Sequence, residues 1–356
     1  MSNTLPMPEP TVLLDGLAYV ESPRWHEGRL WFAHWGTGEI VAVDLDGHSE
    51  VTGHGPAGLG WSIDWLPDGR LLVTGKELLR RESDGSMVRH ADLSGIAEGW
   101  NEIVVDGRGN IYLNSIRFAF LSGAQPTSGV IALVTPDGSV RQVAGDLAFP
   151  NGMVITPDNA TLIISESFTG RLIAFDIEAD GSLSNRRVWA ESLAPDGICM
   201  DAEGAVWVGT AATFAHTRRV GTPAGAVVRV REGGEVLQRI EYDRAIFAAM
   251  LGGPDQKTLF LLAAEWRGIE QVNEALAART GQVLVSQAPV PGAGWPWQRP
   301  DRRMAVPTRS MGWSPRLSSC LSQPRCLVHD RIISRRQGRG NCPARAGYVQ
   351  LFLMRP

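Results

Sequence analysis

The sequence predicts an all-β chain folded as a six-bladed β-propeller, with four-stranded antiparallel blades around a central channel. Three observations carry that prediction. Short apolar runs alternate with Gly-rich turns through about the first 290 residues, helical periodicity is nearly absent there, and the pattern returns every 40 to 52 residues. A repeat of that length built from strands is the signature of propeller blades. An α/β fold would need helical periodicity, and a sandwich would leave the internal repeat unexplained.

Six segments align on a tight polar turn: ESPRWHEGRLWFA from Glu21, WSIDWLPDGRLLVTG from Trp61, NEIVVDGRGNIYLNS from Asn101, NGMVITPDNATLIIS from Asn151, DGICMDAEGAVWVGT from Asp196 and AAMLGGPDQKTLFLLA from Ala248. Each reads as a strand, a turn of the Asp-Gly type and a second strand rich in branched or aromatic residues. Runs such as GEIVAVDLDG and GRLIAFDIEADG supply further strands to the unit. One short helix is expected, over Gly268 to Thr280 in the last blade.

The domain organisation expected is a lead-in over 1–14, the propeller over 15–294 and a separate extension over 295–356. The extension stands out by charge. From Trp295 onward there are 12 Arg and no Lys against Asp301 and Asp330, a net +10 inside a chain whose total is −4. The body is correspondingly acidic, at −14. The break coincides with the Pro/Gly-rich PVPGAGWPWQRP. A basic arm can serve nucleic acid or anionic surfaces, but no nucleic-acid motif supports that use, and a disordered or adventitious extension is expected instead.

Hydrophobic residues make up 44% and charged residues 20%, and no apolar run reaches the eighteen residues of a membrane span. The N-terminus lacks a basic region followed by an apolar stretch, so a cytoplasmic location is expected. Three of the four cysteines fall in the extension, leaving no disulfide framework for the body. Elbow, P-loop, His-Glu-x-x-His and Cys-x-x-Cys motifs are all missing from the sequence.

Eight positions before the turn residue of each repeat stand Trp61, Asn101, Asn151, Asp196 and Ala248, and in the first repeat a step of seven reaches Glu21. Read singly, an Asn before Gly or a Glu before Ser-Pro is a turn or cap residue. Their equivalence under one repeat puts them in a ring near one mouth of the channel. Carboxylates converging there are costly unless a cation neutralises them. Glu21 and Asp196, with the amide oxygens of Asn101 and Asn151, form an all-oxygen set suited to one divalent cation. Ca²⁺ is favoured, with Mg²⁺ or Mn²⁺ also fitting, and Zn²⁺ less natural without His or Cys.

The stretches ESPRW, NEIVVDGRGNIYLN, FPNGMVITPD and PDGICMDAEGAVWVG resemble the signature segments of the senescence marker protein/gluconolactonase family, the regucalcin-like propellers, over roughly Asp15 to Pro291. That resemblance implies a single divalent metal held by Glu21, Asn101, Asn151 and Asp196, and hydrolysis of lactones with Asp196 as the proposed base. Two departures stand out. Asn101-Glu102 replaces the common Asn-Asp, and Gly99 stands where sugar-lactone members often have Arg. With Trp61 and Trp100 nearby, the pocket is expected to be less polar than an aldonolactone site.

The expected chemistry is metal-assisted opening of a small lactone or ester, with the cation polarising the carbonyl and Asp196 taking a proton from water. Further substrate-pocket candidates are Trp61, Trp100, Arg117, Glu265, Trp266 and His34. A phosphotriesterase using the same ion and a non-catalytic calcium-binding propeller are the alternatives.

Overall fold

A computed structural model of the chain describes residues 7–211 and 224–294. The expected extension over 295–356 lies outside them. The described strands are β1 Thr11–Leu17, β2 Val20–His26, β3 Arg29–His34, β4 Glu39–Val43, β5 Ser49–His54, β6 Ile63–Trp65, β7 Leu71–Val73, β8 Leu78–Arg81, β9 Met87–Ala91, β10 Ile103–Val105, β11 Ile111–Ser115 and β12 Gly129–Val134. They continue with β13 Val140–Leu147, β14 Pro150–Ile155, β15 Thr161–Glu166, β16 Arg171–Ile177, β17 Leu183–Ala190, β18 Pro195–Met200, β19 Val206–Ala211, β20 Gly225–Val230, β21 Val236–Tyr242, β22 Ala245–Gly252, β23 Thr258–Ala264 and β24 Gly281–Gln287. These make six antiparallel sheets of four strands each.

Five blades use four consecutive strands, beginning at β2, β6, β10, β14 and β18. The sixth runs β22-β23-β24 and takes β1 as its outer strand, with Thr11 opposite Val285 and Leu17 opposite Gly281. The lead-in expected over 1–14 is therefore corrected: from Thr11 onward it is part of the last blade. Local patterning cannot reveal this pairing, because the partner strand lies more than 260 residues away. Joining the two ends in one sheet removes the free edges that an open ring would expose.

The first strands of the blades touch in a closed cycle, β2 to β6, β10, β14, β18, β22 and back to β2. First, second and third strands are mostly buried, because both their faces pack against neighbouring blades, whereas outer strands such as β5 and β9 are exposed. Aromatic residues fill the junctions. Trp25 stacks on Phe260 between first and last blades, and Trp31 meets Trp65 edge-on between the first two.

The six turn residues that anchor the repeat, Gly28, Gly69, Gly109, Asn159, Gly204 and Gln256, all have φ between 58° and 89°. One left-handed residue at the same point of each hairpin is what a shared turn geometry requires, and Gly and Asn tolerate it best. The expected helix is present as a 3-10 turn, Ile269–Gln271, followed by α1, Val272–Ala278.

Beyond β24 the chain packs back onto the fifth blade: the Ala202 N–H donates to the Pro291 carbonyl, and the Ala293 N–H to that of Met200. A chain ending at Gly294 keeps these bonds. It is expected to keep the melting temperature of the full chain, as read by thermal denaturation. Loss of soluble protein would show that residues 295–356 belong to the folded unit.

Candidate metal centre and active site

A bulge interrupts the pairing of the first strand in four blades: between Glu21 and Arg24, Pro150 and Met153, Pro195 and Ile198, and Ile246 and Ala248. Each falls beside the ring position found in the sequence. In the second and third blades the first strand starts only at Ile63 and Ile103, just after Trp61 and Asn101. Bulges and late starts free the side chain at that level from the ladder and re-aim it.

The inner strands approach closely here. A Cβ on Gly152 would sit 2.5 Å from the Asp196 carbonyl oxygen, and one on Gly197 would sit 2.5 Å from the Ala248 Cβ. Glycine after Asn151 and after Asp196 is what lets the fourth, fifth and sixth blades bring these residues together. The Ser165 hydroxyl donates to the Asp196 carbonyl at 2.7 Å, and the Ser167 hydroxyl to that of Pro195 at 2.8 Å, tying the blades at the same level.

Glu21, Asn101, Asn151, Asp196 and Trp61 all line one cavity of about 1110 Å³. Glu21 and Asp196 are buried, at 5% and 3% exposure. A Glu21 carboxylate oxygen accepts the Ser22 N–H at 2.8 Å. The Asn151 amide donates to Ser167 Oγ at 3.4 Å and also bonds the Asp196 carboxylate. The Asn114 amide, in turn, donates to the Asn151 carbonyl at 2.6 Å.

Burial raises the Glu21 carboxyl well above the ordinary carboxylate range, and the charges of Asp196 and Glu102 push it further. Asp196 is raised well above its ordinary value by the same burial and by Glu102. The nearest buried guanidinium, Arg24, donates to Glu102 at 3.4 Å and to the Ile103 carbonyl at 2.8 Å. Ser62 Oγ also lies 2.7 Å from Glu102. The Arg24 charge also lowers Glu21, but burial and the neighbouring carboxylates outweigh it. The negative excess at Glu21 and Asp196, flanked by two carboxamides, fits a hard divalent cation with oxygen ligands. Glu102 is the member that sequence reasoning noted only as a departure. Its place directly after a ring residue was the available signal.

Trp100, Arg117 and Trp266 also line the cavity. The Trp100 indole N–H is buried with no hydrogen-bond partner among the described residues. Two other sequence candidates are not on the cavity wall. His34 is buried behind it, its Nε2 accepting the Ala18 N–H at 2.9 Å and its Nδ1 facing Glu39 at 3.4 Å. Glu265 pairs with Arg267. Each follows or ends a second strand at a place comparable in sequence, and sequence alone does not tell which side of the strand end a residue takes.

The cavity also holds Tyr19, Trp35, Phe118, Phe120, Phe149 and Phe247. Tyr19, Leu59, Gly99 and Phe149 stand two positions before the ring residues of their blades, so the same repeat step, moved two residues upstream, would have found them. A second acidic group, Asp44, Asp46 and His48, lies in an exposed hairpin turn where Asp44 accepts two backbone N–H bonds. It is an exposed turn, and none of its residues lines the cavity.

Among the described residues no helix is long and apolar enough to cross a membrane. The profile of the SMP-30/gluconolactonase/LRE-like region matches residues 19–265. Diisopropyl-fluorophosphatase of Loligo vulgaris is 28% identical over 181 residues, covering 43% of this chain and 55% of that protein. Pentonolactonase XacC of Haloferax volcanii is 25% identical over 255 residues, covering 68% of this chain and 81% of that protein. The chain thus spans little more than half the length of the squid protein. A solved structure of a calcium-binding protein, regucalcin, from Agrobacterium tumefaciens superposes with a TM-score of 0.63 at 19% identity, covering 83% of this chain and 100% of that one. The last match speaks to the fold alone. The chain belongs to the SMP-30/gluconolactonase/LRE-like family.

Proposed function

We propose that the protein is a divalent-cation-dependent hydrolase that opens lactones, with Glu21, Asn101, Asn151 and Asp196 holding the cation. The observation that carries this is the pair of buried, like-charged carboxylates on one cavity, flanked by two carboxamides, whose burial and mutual repulsion outweigh the nearby Arg24 charge. Pentonolactonase XacC supports lactones as the substrate class, and the all-oxygen donor set favours Ca²⁺ as the ion. A cation bound there would supply an electrophile that polarises the ester carbonyl and draws charge onto its oxygen.

The chain's own residues do the rest. The Asp196 carboxylate, at the cavity floor, accepts a proton from the attacking water. Its hydrogen bond from Asn151 holds the carboxylate in place, and Ser165 fixes the backbone that carries it. The Ser22 N–H holds Glu21 facing the same point. Arg24 and Ser62 hold Glu102, which is not on the cavity wall.

The likeness to diisopropyl-fluorophosphatase favours a second reading, in which the same site cleaves a phosphorus ester. One panel separates these readings: simple lactones and a phosphotriester, each with and without added Ca²⁺ or Mn²⁺. Lactone opening that is lost on chelation and restored by the ion is the expected result. Turnover of the phosphotriester alone would favour the second reading. Cation binding without turnover of any ester would leave a calcium-binding propeller.

A further inference from the structure

The walls between the ring and the solvent say what kind of substrate the site takes. Of the five aromatic side chains on the cavity that carry polar tips, three have them bonded to backbone, and the Trp100 indole N–H is buried. The Tyr19 hydroxyl donates to the Glu265 carbonyl at 3.0 Å, the Trp35 indole to that of Trp61 at 2.7 Å, and the Trp61 indole to that of Gly58 at 3.1 Å. Tyr19, Trp35 and Trp61 therefore offer the cavity carbon surface, their donors being already used. The same cavity carries a cluster of phenylalanines. Phe149 stacks on Phe168 at 4.4 Å between centroids, Phe120 meets Phe149 edge-on at 4.9 Å, and Phe118 meets Phe149 at 5.9 Å.

The charged residues on the cavity fall into two sets. Glu21 and Asp196 are buried at the floor, whereas Lys76, Glu77, Glu98 and Arg117 are exposed. Gly99 adds no side chain between them. A polyhydroxylated lactone lying against the phenylalanine wall would give up water there for carbon contacts, losing roughly tenfold in binding per unmatched hydroxyl. Phe118 and Phe120 sit on a loop between β11 and β12 and remain half-buried, apolar surface that a ligand would cover.

We propose that the substrate is a lactone bearing an apolar substituent several carbons long, whose carbonyl meets the ring while the substituent lies against Phe118, Phe120 and Phe149. This rests on the hydrolase reading above. No new chemistry is needed: the acyl C–O bond of the ring breaks and one water is added, whatever the substituent.

The test is a series of γ-lactones from γ-butyrolactone to γ-octalactone, with D-glucono-1,5-lactone for comparison, on the full chain with Ca²⁺. The expected kcat/KM rises about fourfold per methylene, on the order of 10²-fold across the series. Phe120→Ala is expected to flatten that slope and Phe120→Leu to restore most of it, with thermal melting showing that both fold. Calorimetric binding of the matching lactams, which resist opening, gives a readout that does not need turnover. A lactam series that tightens with chain length, with no lactone opened, would keep the pocket assignment and remove the hydrolase. A flat series, preference for the gluconolactone, or a slope unchanged in Phe120→Ala would overturn the proposal and leave the hydrolase reading standing. Should Phe120→Ala not fold, the wild-type slope decides.

Discussion

Asp196→Asn is expected to lower lactone hydrolysis by about 10² to 10⁴-fold while raising the melting temperature of the cation-free protein. Both halves follow from one carboxylate. The loss is the usual worth of a positioned base, together with the weaker hold on the cation once a charge is removed. The gain arises because Asp196 is buried beside Glu21 and Glu102, and burial and like charge already push its carboxyl well above the ordinary range. An amide of the same shape carries none of that charge and still reaches Asn151. The two readouts make the experiment decisive. A variant that loses activity because its site has collapsed would melt lower, not higher. Unchanged hydrolysis in a folded Asp196→Asn protein would remove Asp196 from the chemistry.

Much of this site is legible in the sequence. The repeat determines which residues share a level of the channel, because every hairpin turn uses one left-handed residue at the same offset. Gly28, Gly69, Gly109, Asn159, Gly204 and Gln256 all stand at positive φ. A step of seven or eight from such a point reaches Glu21, Asn101, Asn151 and Asp196, and one cavity gathers them.

Features that depend on non-local contact are illegible there. β1 joins β24 across the length of the chain, and no local pattern marks that pairing. His34 turns inward to the Ala18 N–H because a buried imidazole needs a partner, which periodicity cannot reveal. The Phe118 and Phe120 wall comes from a loop outside the repeat, so the alignment that finds the ring has no register for it.

The other large effect is the stabilisation given by the cation, and its sign with pH. Glu21 and Asp196 have carboxyls raised in the folded state, so between the unfolded value, near 4, and the raised native values the folded chain holds more protons than the unfolded one. Their contribution to stability is fully present below the unfolded value and is lost as pH climbs through the native ones. The cation-free protein therefore carries growing repulsion at its centre as pH rises.

A cation binds only the deprotonated pair and removes that repulsion, so its stabilising effect grows over the same interval. At a hundredfold excess over its Kd the ion contributes about 2.7 kcal/mol, roughly 5 °C in melting temperature for a domain of this size. Buried His34 and half-buried His26 and His90 have pKa values lowered by desolvation and act in the opposite direction on acidification. The quantity to follow is consequently the difference between melting with Ca²⁺ and with chelator, in which histidines away from the ring cancel. That difference is expected to be small at pH 5, to widen toward pH 8, and to vanish at every pH in Glu21→Gln/Asp196→Asn. A difference that stays constant with pH, or survives in the double variant, would place the cation elsewhere than between these carboxylates.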